Sequence, residues 1–213
     1  MTNEMQTPTP DTADWTPLVA FDFDGTLTVR DSFTDFLRWR AGARGYVASL
    51  TLLAPNMAAY LLHQDRGRIK AAAIRRFLRG VPRDVLIADG RGYADAMAPR
   101  LFRPDAMEVW NDWGARGARR VIVTASPALL VQPFAERLGA DSLLGTELLF
   151  DDRDRVAGAA MGPNNRGAEK VRRLREAYGP DVRLTAAYGD SSGDHDMLEI
   201  ADIKGYCVFK GRP

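Results

Sequence analysis

Val19-Ala20-Phe21-Asp22-Phe23-Asp24-Gly25-Thr26-Leu27-Thr28 decides how the rest of this 213-residue chain is read. An apolar run leads into two aspartates two positions apart, then a glycine and a threonine. A run of that kind, closed by turn residues, predicts a short buried strand with a polar end. Side chains alternate along a strand, so Asp22 and Asp24 are expected to point one way and Phe23 the other. Two neighbouring carboxylates stay ionised together only when a cation or a basic group lies between them. The plainer reading, a strand followed by an Asp-Gly turn, leaves the polar strand ends further along the chain without a role.

Composition limits what surrounds this stretch. An apolar fraction of 46% suits one globular domain, or one domain carrying a large insertion. The net charge of +1 gives no argument for a nucleic-acid partner. The single cysteine, Cys207, excludes a disulfide within the chain and suits a reducing cytosol. Met1 to Asp14 is polar and rich in Thr and Pro, without the basic-then-apolar order of a secretory signal, so residues 1–16 are expected to form a disordered tail. Charge is uneven. Residues 30–116 hold 15 Lys and Arg against 9 Asp and Glu, and the remainder is acidic. A basic insert facing an acidic core suggests an anionic ligand between them, although most of these arginines read as a solvated helical surface.

Helix signals fill that insert. Asp31-Ser32 offers an N-cap, Tyr46 to Leu62 carries no charge, and Pro55 is expected to break or restart the helix there. Arg68 to Arg79 and Asp84 to Met97 read as amphipathic helices separated by Gly80-Val81-Pro82, and Arg103-Pro104 opens another through Trp110 and Trp113. Residues 30–116 are therefore expected to form an all-helical cap, inserted into a core made of 17–29 and 117–213. In the second part of the core, Val121-Ile122-Val123-Thr124 is a buried strand with a polar end, and Ser126-Pro127 starts a helix. A hairpin turns at Asp151 to Arg155, a basic helix follows Asn164, and Val182 to Tyr188 is a strand ending in Gly189-Asp190. A short helix over Met197 to Ile200 and a last strand over Tyr206 to Phe209 complete the chain. Strands alternating with helices predict a mostly parallel sheet covered on both faces, an α/β fold.

In such sheets ligands bind beyond the carboxyl ends of the strands. Asp22, Asp24, Thr124 and Asp190 should converge there, with Lys170 at the start of a helix in reach. A carboxylate pair, a hydroxyl, a lysine and a further carboxylate describe a magnesium-dependent phosphoryl-transfer site. Magnesium prefers hard oxygen ligands and needs few of them from the protein. A phosphate monoester repels a carboxylate nucleophile, and a metal ion with Lys170 offsets that repulsion. The Thr124 hydroxyl and the N–H groups opening the next helix, beginning at Ala125, are candidates to hold phosphate oxygens. One aspartate can carry an acyl-phosphate, and the other can move a proton.

The motifs Asp22-Phe23-Asp24-Gly25-Thr26, Val121 to Thr124, Lys170, and Gly189-Asp190 with Asp194, in that order, resemble the four motifs of the haloacid dehalogenase superfamily. The resemblance covers nearly the whole chain after residue 17. It implies a Rossmann-like three-layer core with a helical cap, and a phosphatase or phosphotransferase. It also implies Asp22 as nucleophile, Asp24 as general acid/base, and Mg2+ held by Asp22, Asp190 and the Asp24 backbone carbonyl. Thr124 and Lys170 would bind the phosphoryl group, and Asp194 would orient Lys170 or help hold the metal. Within the superfamily the chain is similar to the phosphoserine phosphatase branch. Thr124-Ala125-Ser126-Pro127 and Gly167-Ala168-Glu169-Lys170-Val171 look closer still to phosphatidylglycerophosphatase C-like proteins. Two departures weaken a phosphoserine substrate: Gly193 stands where that branch has asparagine, and Asp31 stands near the position of a cap glutamate.

Three partner readings follow: a phospholipid headgroup phosphate, a small soluble phosphate ester, or a phospho-ligand sensed without turnover. A cytoplasmic chain is expected. Tyr46 to Leu62 reads either as a cap helix or as an acyl groove or interfacial segment at the inner face of a membrane, being too short and too interrupted to span one. His195 reads as a loop residue, Trp110 and Trp113 as core or hinge anchors, and the arginines around Lys170 as a solvated face.

Overall fold

The computed structural model describes residues 16–63 and 66–213, the side chains of 52–63 and of Arg66 excepted. The N-terminal stretch expected to be disordered lies, through residue 15, outside the described residues. Strand β1 covers Leu18–Phe21, and the chain then makes a wide helical turn over Phe23–Leu27. Four helices follow, α1 (Ser32–His63), α2 (Arg66–Phe77), α3 (Arg83–Leu101) and α4 (Pro104–Ala115). Then come β2 (Arg119–Pro127), α5 (Ala128–Leu138), β3 (Ser142–Thr146), β4 (Leu148–Phe150), β5 (Val156–Ala160) and α6 (Ala168–Tyr178). The chain closes with β6 (Leu184–Gly189), α7 (His195–Glu199) and β7 (Ala201–Tyr206).

Five strands form one parallel sheet in the order β3-β2-β1-β6-β7, and β4 and β5 pair antiparallel as a hairpin. This is the α/β sheet that the alternation of strands and helices predicts. Buried parallel strands are apolar on both faces, and β1 shows how they divide. Val19 and Phe21 face one core with Ile122, Ala186 and Tyr188, while Ala20 faces the other with Val121, Val123 and Ala187. Phe21 stacks on Tyr188 at 4.6 Å and tilts against Trp110 at 5.0 Å. Such ring pairs add about 0.5–1.5 kcal/mol beyond area burial. Trp110 and Trp113 are core anchors, their indole N–H groups donating to the Leu138 carbonyl and the Tyr188 hydroxyl, each at 3.0 Å.

The helical insert packs in two ways. Helices α1 and α2 lie against each other, and α2 also meets the β5 hairpin strand. Helix α3 packs on α5 and α4 on β2, so the half of the interval after Pro82 covers the sheet. Trp110 and Trp113 account for this, because their large faces are buried against Phe21 and Tyr188 of the central strands. Helix α1 runs through Pro55, and its non-helical residue is Gly42 instead, at φ 67° and ψ 166°. Asp31 caps it as expected, accepting the Thr34 N–H at 2.7 Å. The last strand lies at 201–206 rather than 206–209. As a sheet edge it exposes Asp202 and Lys204, so its sequence lacks the apolar run by which the inner strands are recognised.

Candidate active site

Three parallel strands deliver the site. β1 ends at Phe21, and Asp22 follows with its N–H donating to the Tyr188 carbonyl of β6 at 2.9 Å. Asp22 does not share a strand with Asp24, as the alternation argument expects. The chain turns at Asp22, and Asp24 sits in the wide turn at φ −76° and ψ 120°. Gly25 next to it has φ 82°, and a Cβ there would lie 2.1 Å from Asp190 Oδ2, so this position takes no side chain.

Lys170 ties the floor together. It is 1% exposed, on the first turn of α6. Its Nζ donates to Asp22 Oδ1, to Asp194 Oδ1 and to the Val123 carbonyl, each at 2.6 Å. All three donors of the ammonium are used, so a buried charge is matched by two carboxylates and a carbonyl. The other oxygen of Asp194 accepts the Ser191 N–H and Oγ–H, both at 2.9 Å, and the Asp190 N–H at 3.3 Å. Those bonds and Lys170 hold the Asp194 carboxyl below its ordinary range despite burial. Burial pushes Asp22 up to about 7, with Lys170 opposing it. Asp190 is also raised, chiefly by burial and then by Asp194.

One oxygen each of Asp22, Asp190 and Asp194 lie within 4.8 Å of one another. Hard, closely set carboxylate oxygens of this kind suit a small divalent cation. Because Asp194 spends both oxygens on Lys170 and the Ser191 loop, Asp22 and Asp190 are the carboxylates left to ligate. Asp24 is outside this carboxylate group, and a ligand from it would have to be its backbone carbonyl. Its carboxylate oxygens accept the Ser32 N–H at 2.6 Å and the Ser126 Oγ–H at 2.5 Å. Burial first, and Asp31 next, raise its pKa, which favours a proton-carrying carboxyl at this position.

Thr124 follows the apolar run of β2. It is fully buried, and its Oγ1 accepts the Ser126 N–H at 3.0 Å. Ala125 rather than Thr124 lines the cavity. His195 opens α7 and packs on the Tyr206 ring at 4.9 Å. Arg172 pairs with Glu169 on the outer side of α6, whereas Arg173, expected on a solvated face, is half-buried and donates to Glu169 and to the Gly145 carbonyl.

The cavity has a volume of about 670 Å³ and runs from Asp22, Asp24, Lys170 and Asp190 up between the helices of the insert. Its far wall is apolar, made by Val29, Phe33, Leu37, Tyr46, Leu50, Ile69, Ala73 and Phe77. Of the uncharged stretch 46–62, Tyr46 and Leu50 line this wall, and the side chains from residue 52 on lie outside the described residues. Lys70 and Arg166 are among the site residues that escaped sequence reasoning. Lys70 of α2 is half-buried, with Nζ donating to the Ala125 carbonyl at 2.8 Å. A signal was available, since Lys70, Ala73, Ile74 and Phe77 share one helical face. Arg166 also lines the cavity, from an irregular segment that carries no such signal.

A family model described as haloacid dehalogenase-like hydrolase matches residues 19–199. Protein CicA of Caulobacter vibrioides is 58% identical over 196 residues, covering 92% of this chain and 88% of that protein. A phosphoserine phosphatase of Halobacterium salinarum is 30% identical over 188 residues, covering 86% and 82%. Among solved structures, a Bordetella pertussis protein of unknown function superposes with a TM-score of 0.71 at 20% identity, over 86% of each chain. A phospho-aspartyl intermediate analogue of phosphoserine phosphatase superposes with a TM-score of 0.59 at 21% identity, over 90% of this chain and 87% of that one.

Proposed function

The chain belongs to the haloacid dehalogenase-like hydrolases, on the side of its phosphoserine phosphatase relatives, and from that premise we propose that it hydrolyses phosphate monoesters through an aspartyl-phosphate on Asp22. The observation that carries the reading is the Lys170 ammonium, bound at once to Asp22 and Asp194 at the foot of a cavity open to substrate. Asp22 Oδ attacks phosphorus as the ester P–O bond breaks, and the leaving oxygen takes the proton of Asp24. Asp24, now a carboxylate, then accepts a proton from water as that water's oxygen attacks the acyl-phosphate. Inorganic phosphate leaves, and Asp22 returns as a carboxylate. Lys170 holds Asp22 in its attacking geometry and answers charge on the transferred group. The Ala125 N–H would hold a phosphoryl oxygen, with Thr124 behind it fixing the turn through the Ser126 N–H. Mg2+, held by Asp22, Asp190 and the Asp24 carbonyl, would supply charge neutralisation at the phosphate when bound.

The α1–α2 half of the helical insert acts as a cap that closes over the site and selects the leaving group. Its apolar wall favours an ester whose alcohol carries an acyl or similar apolar part, such as a phospholipid headgroup phosphate of the phosphatidylglycerophosphate type. Tyr46 and Leu50 in that wall support an acyl groove in this segment. No helix among the described residues is long and apolar enough to cross a membrane, so contact with lipid would be peripheral. The 30% identity to a phosphoserine phosphatase favours a second reading, a small soluble ester. Phosphate release from p-nitrophenyl phosphate, phosphoserine and short-chain phosphatidylglycerophosphate, with Mg2+ or with chelator, separates these. The reading expects release only with the metal, and at least about tenfold higher kcat/KM for the ester with the apolar tail. Binding of phosphate analogues without release from any ester would leave a sensor in place of an enzyme.

A further inference from the structure

Resting on the phosphatase reading, we infer that Arg166 is a specificity residue that binds a second oxyanion on the leaving group, separate from the phosphate that is transferred. The guanidinium lines the cavity beside Ser191 and Gly193, next to the catalytic floor. It donates from Nη2 to Ser192 Oγ at 2.7 Å and from Nη1 to Ser191 Oγ at 3.3 Å. Both acceptors are neutral hydroxyls, and Arg166 forms no ion pair among the described residues.

The other cations of the wall are answered by acids. Arg30 pairs with Asp35 at 3.1 Å, and Lys170 with Asp22 and Asp194. Lys70 lies in the field of Asp24 and Asp31, and Arg103 in that of Asp190. Arg166 is thus a fixed, uncompensated guanidinium with N–H groups to spare, facing the space a substrate occupies. Guanidinium forks bind carboxylate and phosphate oxygens in pairs, and one already held in place loses little freedom on doing so.

Gly193 makes room for it. A Cβ there would lie 2.4 Å from Arg166 Nη1 and 2.7 Å from its Cζ. No left-handed backbone is involved, so alanine fits the chain at 193 but displaces the guanidinium. The glycine and the arginine act as one unit: the absent side chain is where the charge sits. The second oxyanion has two sources, the phosphodiester of a lipid headgroup or the carboxylate of an amino-acid ester.

The test measures kcat/KM of wild type, Arg166→Gln, Gly193→Ala and the double variant. The substrates are glycerol phosphate, phosphoserine and a glyceryl phosphodiester bearing a terminal monoester phosphate. The ratio of a two-anion ester to glycerol phosphate should fall at least about tenfold in Arg166→Gln, mostly through KM, as expected for one charge-assisted contact. Gly193→Ala should lower the same ratio, and the double variant should be no worse than Arg166→Gln. The ester that loses more, carboxylate or phosphodiester, identifies the source. Equal loss on all three esters, or an unchanged ratio, overturns the inference and leaves Arg166 as a support of the Ser191 loop. Calorimetry with non-hydrolysable phosphonates, with and without the second anion, reads the same ratio from binding alone. Wild type that binds them selectively without releasing phosphate from any ester breaks the phosphatase reading and leaves this one standing.

Discussion

At the floor of the cavity, Lys170 donates to Asp22 and to one oxygen of Asp194, each at 2.6 Å, and the other oxygen of Asp194 takes its donors from its own loop. In the roof, Lys70 stands among Phe33, Ala73 and Phe77, with Nζ 5.6 Å from the Phe33 ring and one bond downward to Ala125. The floor is a closed network in which each partner fixes the next, which suits positioned chemistry. The roof is mostly apolar surface, tied to the floor through Lys70 and the Ser32 N–H, which suits an alcohol group of variable shape. Chemistry and selectivity are thereby placed on different parts of the chain, and substitutions should separate them.

Asp22→Asn gives the largest expected effect. The side chain is nearly isosteric but has lost its nucleophilic carboxylate, so kcat should fall at least about 10³-fold while the fold is kept. Phosphate release and circular dichroism check it together. Turnover near wild type would move the nucleophile elsewhere and dissolve the contrast between floor and roof. Lys170→Met attacks the same network through its centre. It strands Asp22 and Asp194 without a counter-charge, and loss of one partner from a buried ion pair costs about 3–5 kcal/mol. Unfolding in urea should show a stability loss of that order. A loss below about 1 kcal/mol means that the floor is held by packing alone.

The pH dependence sharpens the comparison from another side. Burial raises Asp22 to about 7, so the folded protein binds this proton more tightly than the unfolded chain does. Its contribution to stability is therefore present at low pH and is lost as pH rises from about 4 towards 7. Without metal, Tm should rise as pH is lowered from about 7.5 to 5.5, and Asp22→Asn should flatten that slope. A proton on Asp22 also competes with a cation, so Mg2+ affinity should weaken about tenfold for each pH unit below about 7. A metal-free Tm that falls over the same window contradicts the burial argument.

How much of this was legible in the sequence depended on burial. Inner strands β1 and β2 carry unbroken apolar runs because both of their faces are covered, and their ends announce Asp22 and Thr124. Strand β7, exposing Asp202 and Lys204, was misplaced because an edge strand need not be apolar. Lys170 was readable beside Glu169 only through the ordered motifs, since its neighbours Arg172 and Arg173 differ from it in direction rather than in chemistry. Arg166 was invisible, because it reaches the cavity through the space left by Gly193, 27 positions later, and a distance of that kind is written in no local pattern. The turn at Gly42 in place of Pro55 belongs here as well: φ of 67° is what a glycine tolerates.

The smallest effect tests the Lys70 tether between the two regions. Lys70 holds α2 to the end of β2 through the Ala125 carbonyl, and its charge lowers the pKa of Asp24 against burial and Asp31. Lys70→Met keeps the length and apolar stem of the side chain, so the roof should stay packed. The charge is lost, which should lift the Asp24 pKa further and move the pH profile of kcat upward. Only about a tenfold loss in kcat is expected, in line with one charge-assisted bond. Because the apolar wall is untouched, the preference between long-tailed and short esters should stay within about twofold of wild type. A Lys70→Met protein whose pH profile stays in place while that preference collapses would make Lys70 part of the selecting roof and not a support of the acid below it.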